Sequence, residues 1–561
     1  MSPLEPCSKT SLTKDVEGTE KSSKDNSVNR NSIGILLAIG YIIGNVIGAG
    51  VFVAPTEVVR NTNSAGLSMI VFGCAAVTSL FGALSYAEIG SMITESGADF
   101  AYLCKIRWNL VAFIFMISGC LILYPSIVAI QLQTFSEYFL KCFNIHFENS
   151  DDANFWARIV QIGLLTIIIL LNFQSLGKIV ARFNICASFC KIIAPISLIL
   201  IGIFFLFFKE VPNRWENTFD HGYYKPLNIT VAFIAALFTF DGWDVLNFGA
   251  GEMKNPRKNL PLAIIFGITL ISVLILTLNA SYYTIINLDD ILNTKTIAST
   301  FIGNTVSFLG PIIPVVICII LIGSINSSIF AASRFLQSAA EKKYLPKFIS
   351  CKNDSSDSPR LALTLHAIFV VLALFSGKVD YLLTFSGITQ WCQRAVTVVA
   401  LIWIRYKSPE HYNLKKTFSC PIIIPILFFL ACLTTVLIVA FEDFTIVLFN
   451  FEVYIVAGMI YVLFFSERLK QSQLVGKIKK WLSIFDSKLI VIAKKVFKCV
   501  PEDDNGSIYS KKTNTECMWF EQIYSGIITT AFVAGAVYMS CPFNKLDTGR
   551  YFRRNYGTAE R

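Results

Sequence analysis

Two short runs hold the residues of this sequence whose types and spacing suit ligand chemistry. One is Gly44-Asn45-Val46-Ile47-Gly48-Ala49-Gly50, set within an apolar segment. A glycine costs about 1 kcal/mol relative to alanine inside a helix, so three so close together predict a local break. A break leaves bare amides at the head of the next half-helix, where the positive dipole end helps hold a carboxylate. Close helix packing across Gly44 and Gly48, four residues apart, is the other reading of the same spacing. The second run is Phe238-Thr239-Phe240-Asp241-Gly242-Trp243-Asp244. A carboxylate at the bilayer centre costs ~2.5–3.5 kcal/mol on the insertion scale, so two of them mark a pathway or a pair. Gly242 between them predicts a second break. Lys191 and Arg394 are isolated cations in apolar surroundings. A fixed ammonium at Lys191 could stand in for a bound sodium ion, and Arg394 could simply pair with Asp241 or Asp244.

These residues need elements that hold them at depth in a membrane. Of 561 residues, 54% are hydrophobic and 15% charged, whereas soluble domains are nearer a quarter charged. The apolar residues fall in runs of roughly 20, enough to cross ~30 Å of hydrocarbon as helix. They predict twelve spans, at roughly 33–55, 66–89, 109–139, 155–173, 184–208, 228–252, 260–286, 306–335, 360–376, 382–404, 420–441 and 443–465. Each must be helical, because unpaired backbone groups are too costly in lipid. Interrupted first and sixth helices, five spans apart, are the pattern of an inverted-repeat transporter with a midplane site.

The net charge of +10 does not indicate a nucleic-acid partner, since the basic residues sit in turns between apolar runs. Such placement is the cytoplasmic-loop bias, and it puts both ends of the chain in the cytosol. The fifteen cysteines lack paired CxxC spacing and the four histidines are scattered. No metal site, cofactor or nucleophile–base constellation is expected, so an enzyme is not the reading. Residues 1–31 read as a disordered cytosolic tail and 32–465 as the transporter domain. Residues 466–498 are basic, with apolar residues at helical spacing, which fits either a helix on the inner leaflet or one packed on the transporter. The apolar segment 518–541 within the C-terminal region 466–561 could form a further span.

Four ordered motifs go further. They are Ile43…Pro55; Gly82-Ala83-Leu84-Ser85-Tyr86-Ala87-Glu88-Ile89-Gly90 followed by Ser96-Gly97-Ala98-Asp99; Gly242-Trp243-Asp244…Glu252-Met253-Lys254-Asn255-Pro256; and Gly323-Ser324-Ile325-Asn326 with Ser333-Arg334. In these residues the chain resembles the L-type amino acid transporters, light subunits of heteromeric transporters in the amino acid–polyamine–organocation superfamily. The resemblance runs from about Ile33 to Arg405 and more loosely to about residue 465. It implies an all-α, LeuT-like 5+5 inverted repeat with two additional helices, working by alternating access as an exchanger at the plasma membrane. It places the substrate carboxylate on the amides of Ala49 and Gly50, and the α-amino group on the carbonyls of Val46, Phe238 and Asp241. It makes Phe238 the gate and Lys191 the lysine of sodium-independent members. The implied site thus comprises Val46, Gly48, Ala49, Gly50, Phe238, Asp241, Gly242 and Asp244, with Phe240, Trp243, Asn326, Trp391 and Arg394 around it.

Three departures qualify the resemblance. Ala49 replaces the usual serine, which removes a hydroxyl. Asp241 replaces a glycine or serine and resembles the aspartate of the branch that exchanges cationic for neutral amino acids. Arg394 opposes that inference, because a guanidinium repels a cationic substrate unless a carboxylate neutralises it. Members that pair with a single-span glycoprotein heavy chain use an outer-loop cysteine, and Cys142 lies about five residues early for that role. The expected function is sodium-independent transport of neutral and, with Asp241 free, cationic L-amino acids. A membrane amino acid sensor with the same fold is the alternative.

Overall fold

The computed structural model describes residues 35–93, 98–143, 150–173, 177–209, 215–216, 218–219, 222–244, 247, 256–353, 358–377, 379–407, 418–442, 444–465 and 473–500. The predicted tail over 1–31, the Glu252 motif and the apolar segment 518–541 lie outside the described residues.

The described chain is almost wholly helical. The first apolar run is divided between α1 (Ile35–Val46) and α2 (Gly50–Thr62). Next come α3 (Ala65–Met92), α4 (Ala98–Lys105) and a long third span of α5 (Asn109–Ser118), a π turn over Gly119–Leu123, and α6 (Tyr124–Cys142). The π turn precedes Pro125, whose missing N–H cannot continue the α-helical ladder. Helices α7 (Ser150–Phe173), α8 (Gly177–Phe208) and α9 (Pro226–Thr239) follow, then α10 (Pro256–Ile285) and the short α11 (Leu288–Asn293) and α12 (Ile297–Thr305). The remainder is α13 (Ile312–Glu341), α14 (Arg360–Ser376), α15 (Val379–Lys407), α16 (Ile423–Glu442), α17 (Phe444–Phe465) and α18 (Gln473–Ile492).

By length and composition, eight helices among the described residues can cross a bilayer, or nine if the bent pair α1–α2 is one span. Their outer faces carry large apolar side chains in the open, such as Phe207 at 75%, Phe189 at 64% and Phe266 at 60% exposure. A water-soluble surface rarely shows so much contiguous apolar area, whereas lipid tails cover it without penalty. This is a multi-pass membrane protein.

Inside, α3 and α1 pack along α10, α6 along α13, and α2 along α9. One large apolar cluster joins the first three helices to α10 and α13, and a second ties α5 to α14, α15 and α17. A buried charge pair adds a polar tie. Glu88 of α3 is fully buried and accepts from Arg405 Nε of α15 at 2.7 Å, while Arg405 Nη2 also reaches its second oxygen. The Cys420 amide and thiol sit 3.0 and 3.1 Å from that same oxygen, and Arg405 returns a bond to the Cys420 carbonyl at 2.8 Å. Removing one partner of a buried pair typically costs about 3–5 kcal/mol. Glu88→Gln is therefore expected to lower the melting temperature of the purified protein, and adding Arg405→Gln to recover much of the loss. An unchanged melting temperature in the single variant removes this tie from the stability account.

The region predicted to be a basic amphipathic helix forms α18. Its end is fastened by a two-residue antiparallel pairing of β1 (Lys352–Asn353) with β2 (Cys499–Val500).

Candidate functional site

The first break sits where the glycines put it. Helix α1 stops at Val46, α2 starts at Gly50, and the two axes bend by 46°. The amides of Phe52 and Val53 both donate to Ala49 O at 3.0 Å. The amides of Gly50 and Val51, at the very start of α2, have no carbonyl behind them within the helix. At the other lip, Ile47 N pairs with Ile43 O at 3.0 Å. Gly44 O instead accepts from the Lys191 ammonium at 2.7 Å. That is a cation on the negative end of α1, where the helix dipole favours it. Lys191 is 5% exposed, so this carbonyl supplies part of the hydration it has lost.

The second break ends α9. Phe240 N bonds Leu237 O at 3.1 Å and Asp241 N bonds Phe238 O at 3.3 Å, so the last turn tightens before the chain leaves the helix. Gly242 then takes φ +102°, a conformation that a side chain rarely tolerates. Within the sixth predicted span, 228–252, the first helix ends at Thr239, turns follow over Phe240–Asp244, and Asn247 is helical again.

The two breaks touch, backbone against backbone. A Cβ on Gly50 would lie 2.8 Å from both Phe238 O and Thr239 Cα, and one on Gly242 would lie 3.3 Å from the Asn45 carbonyl. Thr239 Oγ1 also reaches Gly50 O at 3.4 Å. Backbone of the first break therefore packs directly against backbone of the second. Val46, Gly48, Ala49, Gly50 and Phe240 are buried there, and Phe238 is half-buried beside them.

Beside this junction lies a charged cluster on α15. The Arg394 guanidinium, 3% exposed, is 2.5 Å from Asp241 Oδ1 and 3.7 Å from Asp244 Oδ2. Gln390 Nε2 donates to the same Asp241 oxygen at 3.0 Å. The guanidinium lies between two indoles, 4.8 Å from the Trp243 ring and 4.9 Å from the Trp391 ring. Desolvated cation–π contacts of this kind are worth roughly 2 kcal/mol. Tyr86 meets Trp243 edge-on at 5.0 Å, and Phe428 backs both indoles. One turn away, Gln393 donates to Asp99 Oδ2 at 2.8 Å.

Electrostatically the result is specific. Asp241, the carboxylate expected to accept a cationic substrate, is already met by a cation of the protein itself. A lysine or arginine side chain entering here would have to share Asp241 with Arg394.

Asn326 Oδ1 accepts from Asn172 Nδ2 of α7 at 2.8 Å. Ser324, two residues earlier and so on another side of α13, faces the break. Its Oγ is 3.5 Å from where a Gly48 Cβ would be, is buried, and has no hydrogen-bond partner among the described residues. Ser324 and Gln390 were both missed, although Ser324 stands in the quoted motif and Gln390 precedes Arg394 by one helical turn. Cys142 closes α6 half-buried, with its thiol free. No group of three or more His, Cys, Asp or Glu among the described residues could hold a metal.

Similarity to known proteins gives the family. The family model described as amino acid permease matches residues 33–465. The chain is similar to amino acid transporter protein 6 of Caenorhabditis elegans, 39% identical over 431 residues, or 76% of this chain and 81% of that one. It is also similar to the human cystine/glutamate transporter, 29% identical over 85% of this chain and 92% of the relative. The mouse b(0,+)-type amino acid transporter 1 is 27% identical over 75% and 85%. These relatives are transporters rather than enzymes, and the L-type resemblance of the motifs stands. The chain belongs to the amino acid permease family.

Proposed function

We propose that this protein carries L-amino acids across the plasma membrane by alternating access, without sodium and in exchange for other amino acids. The observation that carries the reading is the contact of two interrupted helices, Gly50 on Phe238 and Gly242 on Asn45. On this reading the substrate carboxylate sits on the amides of Ala49 and Gly50, and the ammonium on the carbonyls of Val46, Phe238 and Asp241. Phe238 closes over them. A zwitterion supplies the charges that broken helix ends lack, positive for carbonyls and negative for amides. The twelve-span inverted repeat with both termini cytosolic is part of the same proposal.

Lys191 on Gly44 O supports sodium independence, because a fixed positive charge already holds the frayed end of α1. Replacing outside sodium by choline is expected to leave uptake into reconstituted vesicles unchanged. A drop of severalfold would overturn this part of the reading.

Arg394 on Asp241 favours neutral over cationic substrates. The direct test is exchange in vesicles preloaded with labelled leucine and challenged with outside leucine, lysine or glutamate. Outside leucine is expected to accelerate efflux, with lysine much weaker. Efflux indifferent to every outside amino acid would refute exchange. Binding without any flux would instead establish the sensor reading. A single-span heavy chain bonded through Cys142 also remains a proposal, which a non-reducing gel of the protein from its native membrane would test: a heavier band lost in Cys142→Ser supports it, and a band at the light-chain mass alone removes it.

A further inference from the structure

Helix α18 has one face that is bound and another that is open. On the bound face Asp486 is 2% exposed, and its Oδ1 accepts from the buried Phe348 amide at 3.1 Å. Beyond the helix, Arg360 Nη1 donates to Phe497 O at 2.7 Å and Asn353 Nδ2 to Lys498 O at 2.8 Å. The Phe497 ring meets Phe173, the last residue of α7, edge-on at 5.9 Å. Arg360 Nη2 also holds the Phe173 carbonyl, at 2.8 Å. The helix is thereby fixed to the ends of α7 and α14. Helix α7 is itself lipid-facing, with Ile167 56% and Leu170 53% exposed. The bilayer edge therefore runs beside α18.

The open face lies opposite Asp486. Lys477, Lys480, Trp481, Ile484, Phe485 and Lys488 fall within one arc at 100° per residue, and all are exposed. Trp481 is 63% exposed and its ring stacks on Phe485 at 5.9 Å with planes 7° apart. Apolar side chains grouped in the open mark a surface made to be covered. The lysines among them decide the cover. Asp486 is the single acid between 473 and 500 and it points inward, so the open face is purely cationic. A lysine set between apolar side chains suits a headgroup layer, its stem lying on the acyl boundary and its ammonium reaching phosphate. A protein partner would have to bury the same ammoniums.

We propose that this face of α18 is a binding site for anionic phospholipid headgroups of the adjoining leaflet. The inference goes beyond the transport reading and rests only on the chain spanning a membrane. Because the opposite face holds the segment between α13 and α14, and the chain just beyond the helix holds the ends of α7 and α14, lipid composition bears directly on helices of the transporter body.

The test is hydrogen–deuterium exchange of the full chain in nanodiscs of phosphatidylcholine, with and without phosphatidylserine. Phosphatidylserine is expected to slow exchange of the α18 amides. Lys477→Gln, Lys480→Gln and Lys488→Gln should each cut that slowing by about fivefold, the equivalent of about 1 kcal/mol per lysine at an anionic surface. Trp481→Ser should speed exchange in both lipids. Equal exchange of the native chain in the two nanodiscs overturns the proposal, as does a lysine triple variant that keeps the full response. Should the triple variant also lose protection at Cys499–Val500, Lys477→Gln alone decides: a reduced response supports the proposal and an undiminished one overturns it.

Discussion

Gly50→Ala is expected to reach the membrane and carry far less amino acid than the native protein. The added methyl would lie 2.8 Å from the Phe238 carbonyl oxygen and the Thr239 Cα, both of them backbone atoms. No rotamer change can relieve a clash with backbone, so one break must move away from the other. Overpacking of this kind costs typically 1–3 kcal/mol, and here the whole cost falls on the geometry of the site. Uptake should drop by roughly 5- to 150-fold at constant surface expression, the factor that such a free energy implies. Gly73→Ala is the matched control. Nothing lies within 4 Å of its new Cβ, and uptake should be unchanged. If Gly50→Ala transports normally, the two breaks do not meet in the working protein.

Arg394→Leu is the second large effect, and a different one. It leaves the half-buried Asp241 and Asp244 without their cation and empties the slot between Trp243 and Trp391. Breaking a buried pair from one side costs about 3–5 kcal/mol, because the remaining charge keeps its desolvation penalty. The purified variant should melt well below the native protein and lose uptake. Asp241→Asn combined with Arg394→Gln should recover only part of the stability, since Asp244, 3.7 Å from the guanidinium, still loses its cation. Asp241→Gly alone separates two readings of the pocket. If Asp241 serves a cationic substrate, lysine competition falls. If it serves Arg394, lysine competition stays low while glutamate gains against leucine, because the guanidinium has lost its nearest counter-charge. The 2.5 Å pair predicts the second result.

What the sequence made legible were features written in local composition. Three glycines in seven residues, and an Asp-Gly-Trp-Asp run in an apolar helix, announce interruptions wherever tertiary structure puts them. Long apolar runs likewise fixed where helices would form. Features that depend on the phase of a helix were harder. In α13 Ser324, Asn326, Ser327 and Ser328 stand close together, so the sequence alone could not show that Ser324 is the one beside Gly48. Pairings across long separations were unreadable for another reason. Arg394 and Asp241 are 153 residues apart, so the sequence could name them as a pair without deciding that they were one. Nothing in Glu88, Arg405 or Cys420 as isolated residues foretells their tie, nor does a two-residue strand at 352 announce a partner at 500. The same holds for Lys191: its isolation was plain, but its acceptor on α1 came only with the fold.

Transport of this kind requires that peptide groups at the two breaks hold a free zwitterion. The most direct measurement is competition against labelled leucine exchange by leucine, its methyl ester and its deaminated analogue, in reconstituted vesicles. Each analogue keeps the side chain and loses one of the two charges. Leucine alone should compete, with both analogues weaker by at least tenfold, the change expected when one charge-assisted hydrogen-bond set of about 1.5–3 kcal/mol is lost. An analogue that competes as well as leucine would show that its missing charge meets nothing in the site, and the proposed grip on the substrate would be wrong.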